Sequence, residues 1–409
     1  MEKRVVAVNP LSFGSTGKIM QGIAHEAAQM GWVTDMFVGA NGKAIYTEGK
    51  IHNISSSFGN RLAINLGKLT GLEGCFAILP TLKMLKTIDA IDPEVIHLHL
   101  LHHSYVNIPI LFRYLKKKNI PVVWTFHDCW AFTGHCPHFE YEKCEKWKRG
   151  CFDCPRYKDY PKSLIDNSRF MWKLKKKWFS GLSDVTIVAP SEWLADLAKE
   201  SFLGNYTFKV VPNGIDLEVF KPQKGDIRAK YSIGENEKIV LGVASAWSDH
   251  KGLDAFIKLS ETLPEGYKII LVGTNEEIDK SLPENIISIH RTENQQALAE
   301  LYTVADVFAN PTREDTFPTV NIEALACGTP VVTFRTGGSP ESLNEECGVT
   351  VDCDDIAAME REIIRICSHK PFKAEDCRRR AEGFESSKQL RKYADIYEQA
   401  IRPDSREAE

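Results

Sequence analysis

The sequence predicts an α/β protein made of two doubly wound parallel sheets in tandem. Three observations predict it. The chain has 409 residues, more than one hydrophobic core usually supports. Short β-branched runs alternate with longer amphipathic stretches, the pattern of parallel strands covered by helices. That alternation breaks off near residues 205–225 and then restarts.

In the first half, Val5–Val8, Val33–Val38, Val95–Leu98, Val122–Phe126 and Val185–Val188 read as buried strands. Between the first two, Gly17–Gly31 carries Ile19, Ile23, Ala24 and Ala27 at helical spacing and closes on a glycine. A further helix is expected after Ser191, a good N-cap. Beyond Val210-Val211-Pro212-Asn213-Gly214 the series resumes with strand 238–243, helix 253–263, strand 268–272 and helix 297–303. Strand 307–309, helix 321–326 and strand 330–334 complete it. Pro212–Gly225 holds two prolines and two glycines, which suits a join between domains. The expected division is 1–215, 216–385, and a C-terminal helix and tail over 386–409. In that helix Leu390, Tyr393, Ile396, Tyr397 and Ile401 share one side.

A hydrophobic fraction of 43% and a charged fraction of 26% are ordinary for a globular protein. The net charge of −4 gives no reason to expect a nucleic-acid partner. No secretory apolar region opens the chain, and no window reaches the roughly 18–20 apolar residues that span a bilayer. A cytoplasmic location is the resulting expectation. Eleven cysteines are many for that compartment; most are scattered and read as small buried hydrophobes.

The chemistry-bearing segment is Arg313–Glu341. A strand ending at Ala309 runs into Asn310-Pro311-Thr312-Arg313-Glu314-Asp315-Thr316-Phe317-Pro318-Thr319, which opens the helix holding Glu323. Strand end, backbone amides, arginine and carboxylates thus share one sheet edge, where doubly wound folds bind ligands. Carboxylates suit the vicinal hydroxyls of a sugar, and amides or cations suit phosphate. The next strand ends in a second glycine-rich turn, Thr336-Gly337-Gly338-Ser339-Pro340-Glu341. Spacing alone equally permits Glu314 and Asp315 to be no more than helix caps.

The run from Arg313 to Val332 resembles the signature of the retaining glycosyltransferases of family four, whose fold is called GT-B. There an acidic residue, seven others and a glutamate precede Ala-x-Ala-x-Gly-x-Pro-Val-Val, matched here by Asp315, Glu323 and Ala324–Val332. Other segments resemble family marks in order: Ser12–Gly17, Thr125-Phe126-His127-Asp128, Pro190-Ser191, Val211–Asp216 and His250-Lys251-Gly252. The likeness extends to transferases of bacterial colanic-acid and capsular-polysaccharide type.

The resemblance implies two Rossmann-like domains facing a cleft, with the C-terminal helix crossing back to the N-terminal domain. It implies that the first domain takes the acceptor and the second a UDP- or GDP-sugar. Glu323 would bind the ribose and Asp315 the donor sugar; a one-residue shift would put Glu314 there, though the eight-residue step favours Asp315. Amides of Thr316, Phe317, Pro318 and Thr319 would face sugar and diphosphate, and Lys251 would neutralise the leaving diphosphate. Gly14 and Gly17 would let backbone approach the donor, and His127 would touch its sugar or phosphate. No cofactor is required by this chemistry. One departure stands out. The family places an arginine five or six residues before the lysine, and Ala244–Asp249 contains no cation. Arg313 is the residue expected to take its place. The implied activity is transfer of a hexose to a glycan or lipid-linked glycan in cell-surface polysaccharide assembly. An epimerase of the same fold and a catalytically weak sugar-nucleotide-binding scaffold are the alternatives.

Three features lie outside that signature. Residues 129–155 form a cysteine-rich insert in which Cys136, Cys144, Cys151 and Cys154 follow Cys-x7-Cys-x6-Cys-x2-Cys. A structural zinc is the favoured expectation, ahead of unligated thiols and disulfides. His97, His99, His102 and His103 form a dense run that either a metal or a ligand-facing strand end would explain. The basic-aromatic stretches Phe112–Lys118 and Met171–Phe179 fit either a peripheral contact with the inner membrane face or a solvated helix with a buried apolar stripe.

Overall fold

The computed structural model describes residues 2–402; the tail beyond them lies outside the description. The chain divides into two compact units, Met1–Val211 with Ser387–Glu409, and Pro212–Ser386.

The first unit holds strands β1 (Lys3–Asn9), β2 (Trp32–Val38), β3 (Lys50–Asn53), β4 (Val95–Leu98), β5 (Val122–Thr125), β6 (Val185–Ala189) and β7 (Thr207–Val210). All are parallel, in the order β3-β2-β1-β4-β5-β6-β7. Its helices are α1 (Gly14–Gln29), α2 (Ser57–Thr70), α3 (Ile78–Ile91), α4 (Ile108–Lys118), α5 (Ser168–Phe179) and α6 (Glu192–Lys199). Successive residues of β1 point to opposite faces. Val5 packs with Ile23, Ala27 and Trp32, while Val6 and Val8 join the larger core under α3 and α4.

The second unit holds α7 (Ile227–Lys230), β8 (Lys238–Val243), α8 (Leu253–Thr262), β9 (Tyr267–Val272), α9 (Glu276–Asp279), β10 (Ile286–Ile289), α10 (Gln295–Val304) and β11 (Val307–Asn310). It continues with α11 (Thr319–Ala326), β12 (Val331–Phe334), β13 (Gly348–Val351), α12 (Ile356–His369) and α13 (Ala374–Glu382). Its six parallel strands run β10-β9-β8-β11-β12-β13. In each sheet the order reverses once, between β1 and β4 and between β8 and β11. Loops leaving the carboxyl ends at such a switch point are where doubly wound folds place ligands.

Helix α14 (Ser386–Ile401) belongs to the first unit, after the whole second unit has intervened in sequence. Tyr393, Ile396 and Tyr397 complete the core beneath Val5, Trp32, Val95 and Val123. Glu398 accepts from Trp32 Nε1 at 2.9 Å, and the Tyr397 hydroxyl meets His97 Nδ1 at 2.6 Å. The C-terminal helix therefore crosses back as the resemblance implied.

Candidate functional site

In the second unit the two loops at the switch point meet. Asp249–Lys251 forms a single 3₁₀ turn after β8. Gly252 follows at φ +77°, and a Cβ there would lie 2.3 Å from Pro311 O, so only glycine lets this turn seat on the loop after β11. Lys251 Nζ then donates to Asp315 Oδ2 at 2.7 Å and to Glu314 O at 3.0 Å. Both side chains stay partly exposed, at 35% and 25%, so an incoming anion or hydroxyl reaches them. His250 Nδ1 lies 3.3 Å from Glu314 Oε2. Glu314 is buried against this turn, whereas Asp315 is the open carboxylate.

Behind the loop, Asn321 is a fully buried polar hub on α11. Its amide donates to Ser339 Oγ at 3.1 Å and Ser342 Oγ at 2.9 Å, and its oxygen accepts from Asn310 Nδ2 at 2.8 Å. Thr333 Oγ1 donates to Asn310 O at 2.9 Å, and Gly338 N donates to Asp315 O at 3.1 Å. The glycine-rich turn after β12 is thus locked to the loop after β11 by hydrogen bonds that leave no buried donor of Asn321 unused. Asn321 escaped the sequence reading. Its signal was an amide inside an otherwise apolar helix, where a buried polar side chain needs partners.

Glu323, two residues further along α11, is half-buried and accepts from the Tyr302 hydroxyl at 3.0 Å. Burial pushes its carboxyl up to about 7, against the lowering effect of hydrogen bonds from Tyr302 and Thr319. The N-terminus of α11 carries no side-chain cap and no acidic residue in its first turn. That end of the helix favours an anion.

Two expectations change here. Arg313 does not replace the missing family arginine in this arrangement. Its guanidinium forks onto Asp254 Oδ1 and Oδ2 at 2.6 and 2.8 Å, and Nε donates to Asp354 Oδ1 at 2.6 Å. Only 6% of the residue is exposed, so it braces the loop against α8 instead of presenting charge. The amide cradle expected over Thr316–Thr319 is also smaller. Pro318 has no N–H, Phe317 N donates to Asp315 Oδ1 at 3.2 Å, and the Phe317 ring packs on Phe384. Thr316 is buried, and Thr319, at the first position of α11, is half-buried.

In the first unit, Gly14 and Gly17 open α1 directly after β1. A Cβ on Gly17 would lie 2.4 Å from the Ser12 carbonyl carbon, so glycine lets the entering loop fold onto the helix. His127 follows β5, and its Nε2 lies 3.1 Å from His99 Nδ1. Burial holds the His127 imidazole down at about 4, so it is neutral at pH 7 and suited to hydrogen bonding more than to charge. Asp128 meets His102 Nε2 at 2.9 Å, and the Tyr160 hydroxyl meets His102 Nδ1 at 3.0 Å. His97 has both ring nitrogens engaged, by Tyr397 and by Thr125 Oγ1 at 2.8 Å, which explains that histidine without a metal.

The loop after Asp128 is held by Lys175, which no sequence pattern singled out. Its buried ammonium donates to Trp130 O at 2.7 Å and Thr133 O at 3.1 Å and sits 3.2 Å from the Trp130 ring centroid. Burial pushes this amine down to about 7. The basic-aromatic stretches turn inward. Helix α5 buries Met171, Trp172, Lys175 and Phe179, and α4 buries Leu111, Phe112 and Leu115, so each is a solvated helix with a buried apolar stripe.

In the insert, Cys136, Cys144, Cys151 and Cys154 line one small cavity with Trp147 and Phe139. All eleven cysteines are free thiols. A hydrogen bond between Cys136 and Cys154 raises the first and lowers the second. Among the described residues, no three His, Cys, Asp or Glu side chains are placed to hold a metal ion, and no helix is long and apolar enough to cross a membrane.

Comparison with known proteins agrees with this geometry. Residues 19–219 match the family described as Glycosyltransferase Family 4, and residues 223–384 match Glycosyl transferases group 1. The chain is 27% identical over 271 residues to a protein of Escherichia coli (strain K12) named as a colanic acid biosynthesis glycosyl transferase, WcaC. That match covers 64% of this chain and 65% of the relative, just under two thirds of its length. Among solved structures, a sucrose-phosphate synthase from Thermosynechococcus elongatus superposes with a TM-score of 0.72 at 17% identity, covering 97% of this chain and 98% of the other. HepE from Anabaena, solved in complex with UDP, gives a TM-score of 0.65 at 16% identity, covering 97% and 100%. At such identities the structures speak for the fold alone. Two family matches in sequence, two parallel sheets and a loop pair at the second switch point converge on one conclusion: the chain belongs to the glycosyltransferases of group 1 and family 4 and has their GT-B fold.

Proposed function

We propose that this glycosyltransferase is a retaining enzyme that moves a hexose from a UDP- or GDP-sugar to a glycan or lipid-linked glycan in cell-surface polysaccharide assembly. The observation that carries the reading is the Lys251–Asp315 pair beside the uncapped start of α11, with Glu323 on the same helix. In the transfer, the bond from the sugar's anomeric carbon to the diphosphate oxygen breaks, and a bond to an acceptor oxygen forms. The electron pair leaves with the diphosphate, and the acceptor hydroxyl gives up its proton. Lys251 and the α11 amides would stabilise the charge gathering on the diphosphate. Asp315 would accept from hydroxyls of the donor sugar, and Glu323 from the ribose. For Gly14, Gly17 and His127 the proposed donor contacts rest on the family resemblance. The enzyme would work in the cytoplasm, with a lipid-linked acceptor bringing it to the inner membrane face.

The UDP complex of the HepE neighbour and the name of the colanic acid relative support this reading. The test is a thermal-shift screen of the purified chain against UDP, GDP, ADP and their common sugars, followed by an assay for diphosphate release. One nucleotide class should raise the melting temperature, and its sugar should be turned over. A shift without turnover would favour the scaffold reading, which draws its own support from the missing arginine and from the commitment of Arg313 to Asp254 and Asp354.

For the insert the proposal is a structural zinc, supported by the cysteine spacing and by four thiols that line one cavity; as placed no three of them are set to hold an ion, so zinc would have to draw them together. Metal analysis after purification without chelator decides it; less than about a tenth of an equivalent of zinc ends the idea.

A further inference from the structure

Helix α2 faces the wrong way for a core helix. Of its fourteen residues only Ala63 and Gly67 are buried. Phe58, Leu62 and Leu69 are 77%, 51% and 53% exposed. At roughly 100° per residue these three share one stripe, opposite the face that carries Ala63 and Gly67. The helix is firmly built all the same. Ser56 caps its start by accepting from Gly59 N, and Gly71 ends it in the left-handed conformation.

The stripe continues onto a second segment. Leu164 N donates to Lys68 O at 2.9 Å, and Asn167 Nδ2 donates to Thr70 O, which ties residues 164–167 to the C-terminal end of α2. Leu164 and Ile165 there are 55% and 52% exposed, and Phe170 at the start of α5 is 52% exposed. Surface apolar side chains are normal when single; six on two joined segments are not.

Charge identifies the partner. Arg61 and Lys68 flank the stripe on α2, which has no acidic residue, and Lys162, Arg169 and Lys173 flank its continuation. The one carboxylate among them, Asp166, is spent on the amides of Cys154 and Ser168, at 2.7 and 2.9 Å. This basic, apolar surface belongs to a chain whose net charge is −4. Apolar side chains that enter an acyl boundary, rimmed by cations that meet anionic headgroups, are the makings of an interfacial helix.

We propose that α2 and residues 164–170 dock this protein on an anionic lipid bilayer, with α2 lying in the plane of the interface. The inference deepens the membrane-linked part of the proposed function and takes nothing from the donor chemistry. It also moves the contact away from α4 and from the body of α5, whose apolar sides are buried.

The test is flotation of the full chain with vesicles of phosphatidylcholine, with and without about 30% phosphatidylglycerol. Binding to the anionic vesicles at low salt is expected, with little to the neutral ones. The triple variant Phe58→Ser, Leu62→Ser, Leu69→Ser should lose binding while keeping its melting temperature, because these side chains touch solvent. Arg61→Gln with Lys68→Gln should weaken binding at least about tenfold, and added salt should weaken the parent likewise. No binding at low salt overturns the proposal, and so does equal binding by the triple variant. Light scattering that shows a dimer dissolved by the triple variant would overturn it too, assigning the face to a second copy instead. A nucleotide thermal shift on the same samples keeps a failure of docking distinct from a failure of the transferase reading.

Discussion

The two units share a sheet plan and differ in where their polar and apolar groups are spent. In the second unit the loops are cross-tied by buried side chains, Asn321, Thr333 and Arg313 among them, and the carboxylate Asp315 is held by an ion pair. In the first unit every large hydrophobic side chain that is exposed among the described residues is found, and none lies after Phe170. Its strand ends carry a ladder of histidines that burial keeps neutral. The difference teaches that one unit spends its buried polar groups on fixing loops and the other leaves apolar groups at its surface; under the proposed function the first would hold the donor and the second would meet the acceptor. A shared donor chemistry would ask for the first design, and an individual acceptor for the second.

The largest expected effect breaks the fixed geometry at its charge. Lys251→Ala should lower turnover about 100-fold or more while leaving lipid docking unchanged, measured by diphosphate release beside vesicle flotation. Next, Asn321→Ala should destabilise the second unit by about 2–3 kcal/mol, since three buried partners lose their mate. Urea unfolding checks this.

Glu323 gives a pH signature. Its carboxyl stands near 7 in the folded chain against 4.5 when unperturbed, so between those values the native state holds a proton that the unfolded chain has released. Stability therefore falls as pH rises through that window, by about 2 kcal/mol once its partial exposure to solvent is allowed for. Glu323→Gln should remove this slope and melt higher than the parent at pH 8, yet respond more weakly to nucleotide. The smallest effect belongs to the first unit. Tyr397→Phe deletes the hydroxyl that His97 meets and should cost about 1 kcal/mol without touching turnover, read from urea unfolding beside diphosphate release.

The central strands of both sheets were legible because burial on two faces makes them continuous β-branched runs. Strands β3, β7, β10 and β13 were not; each is four residues long and stands at a sheet edge, where half-exposure dilutes the pattern. Helix α2 was missed for a different reason. Its apolar residues face water, so nothing marked it except the cap at Ser56 and the stop at Gly71. The loop from Arg313 to Thr319 was readable since its chemistry sits in consecutive residues. The partners of Arg313 come from α8 and from just beyond β13, and contacts across such separations leave no mark in local sequence.

Helix α14 also orders events in time. The ribosome delivers the whole second unit before it delivers Tyr393 and Tyr397, so that unit can close as an unbroken stretch of chain. The first unit, begun earliest, waits with Val5, Trp32 and Val95 covered only in part, by Ile23 and Ala27 of α1 among others, until the final helix arrives. A chain cut at Ser386 would keep a complete second unit and leave the first without Tyr393, Ile396 and Tyr397, baring apolar side chains of its sheet that invite aggregation.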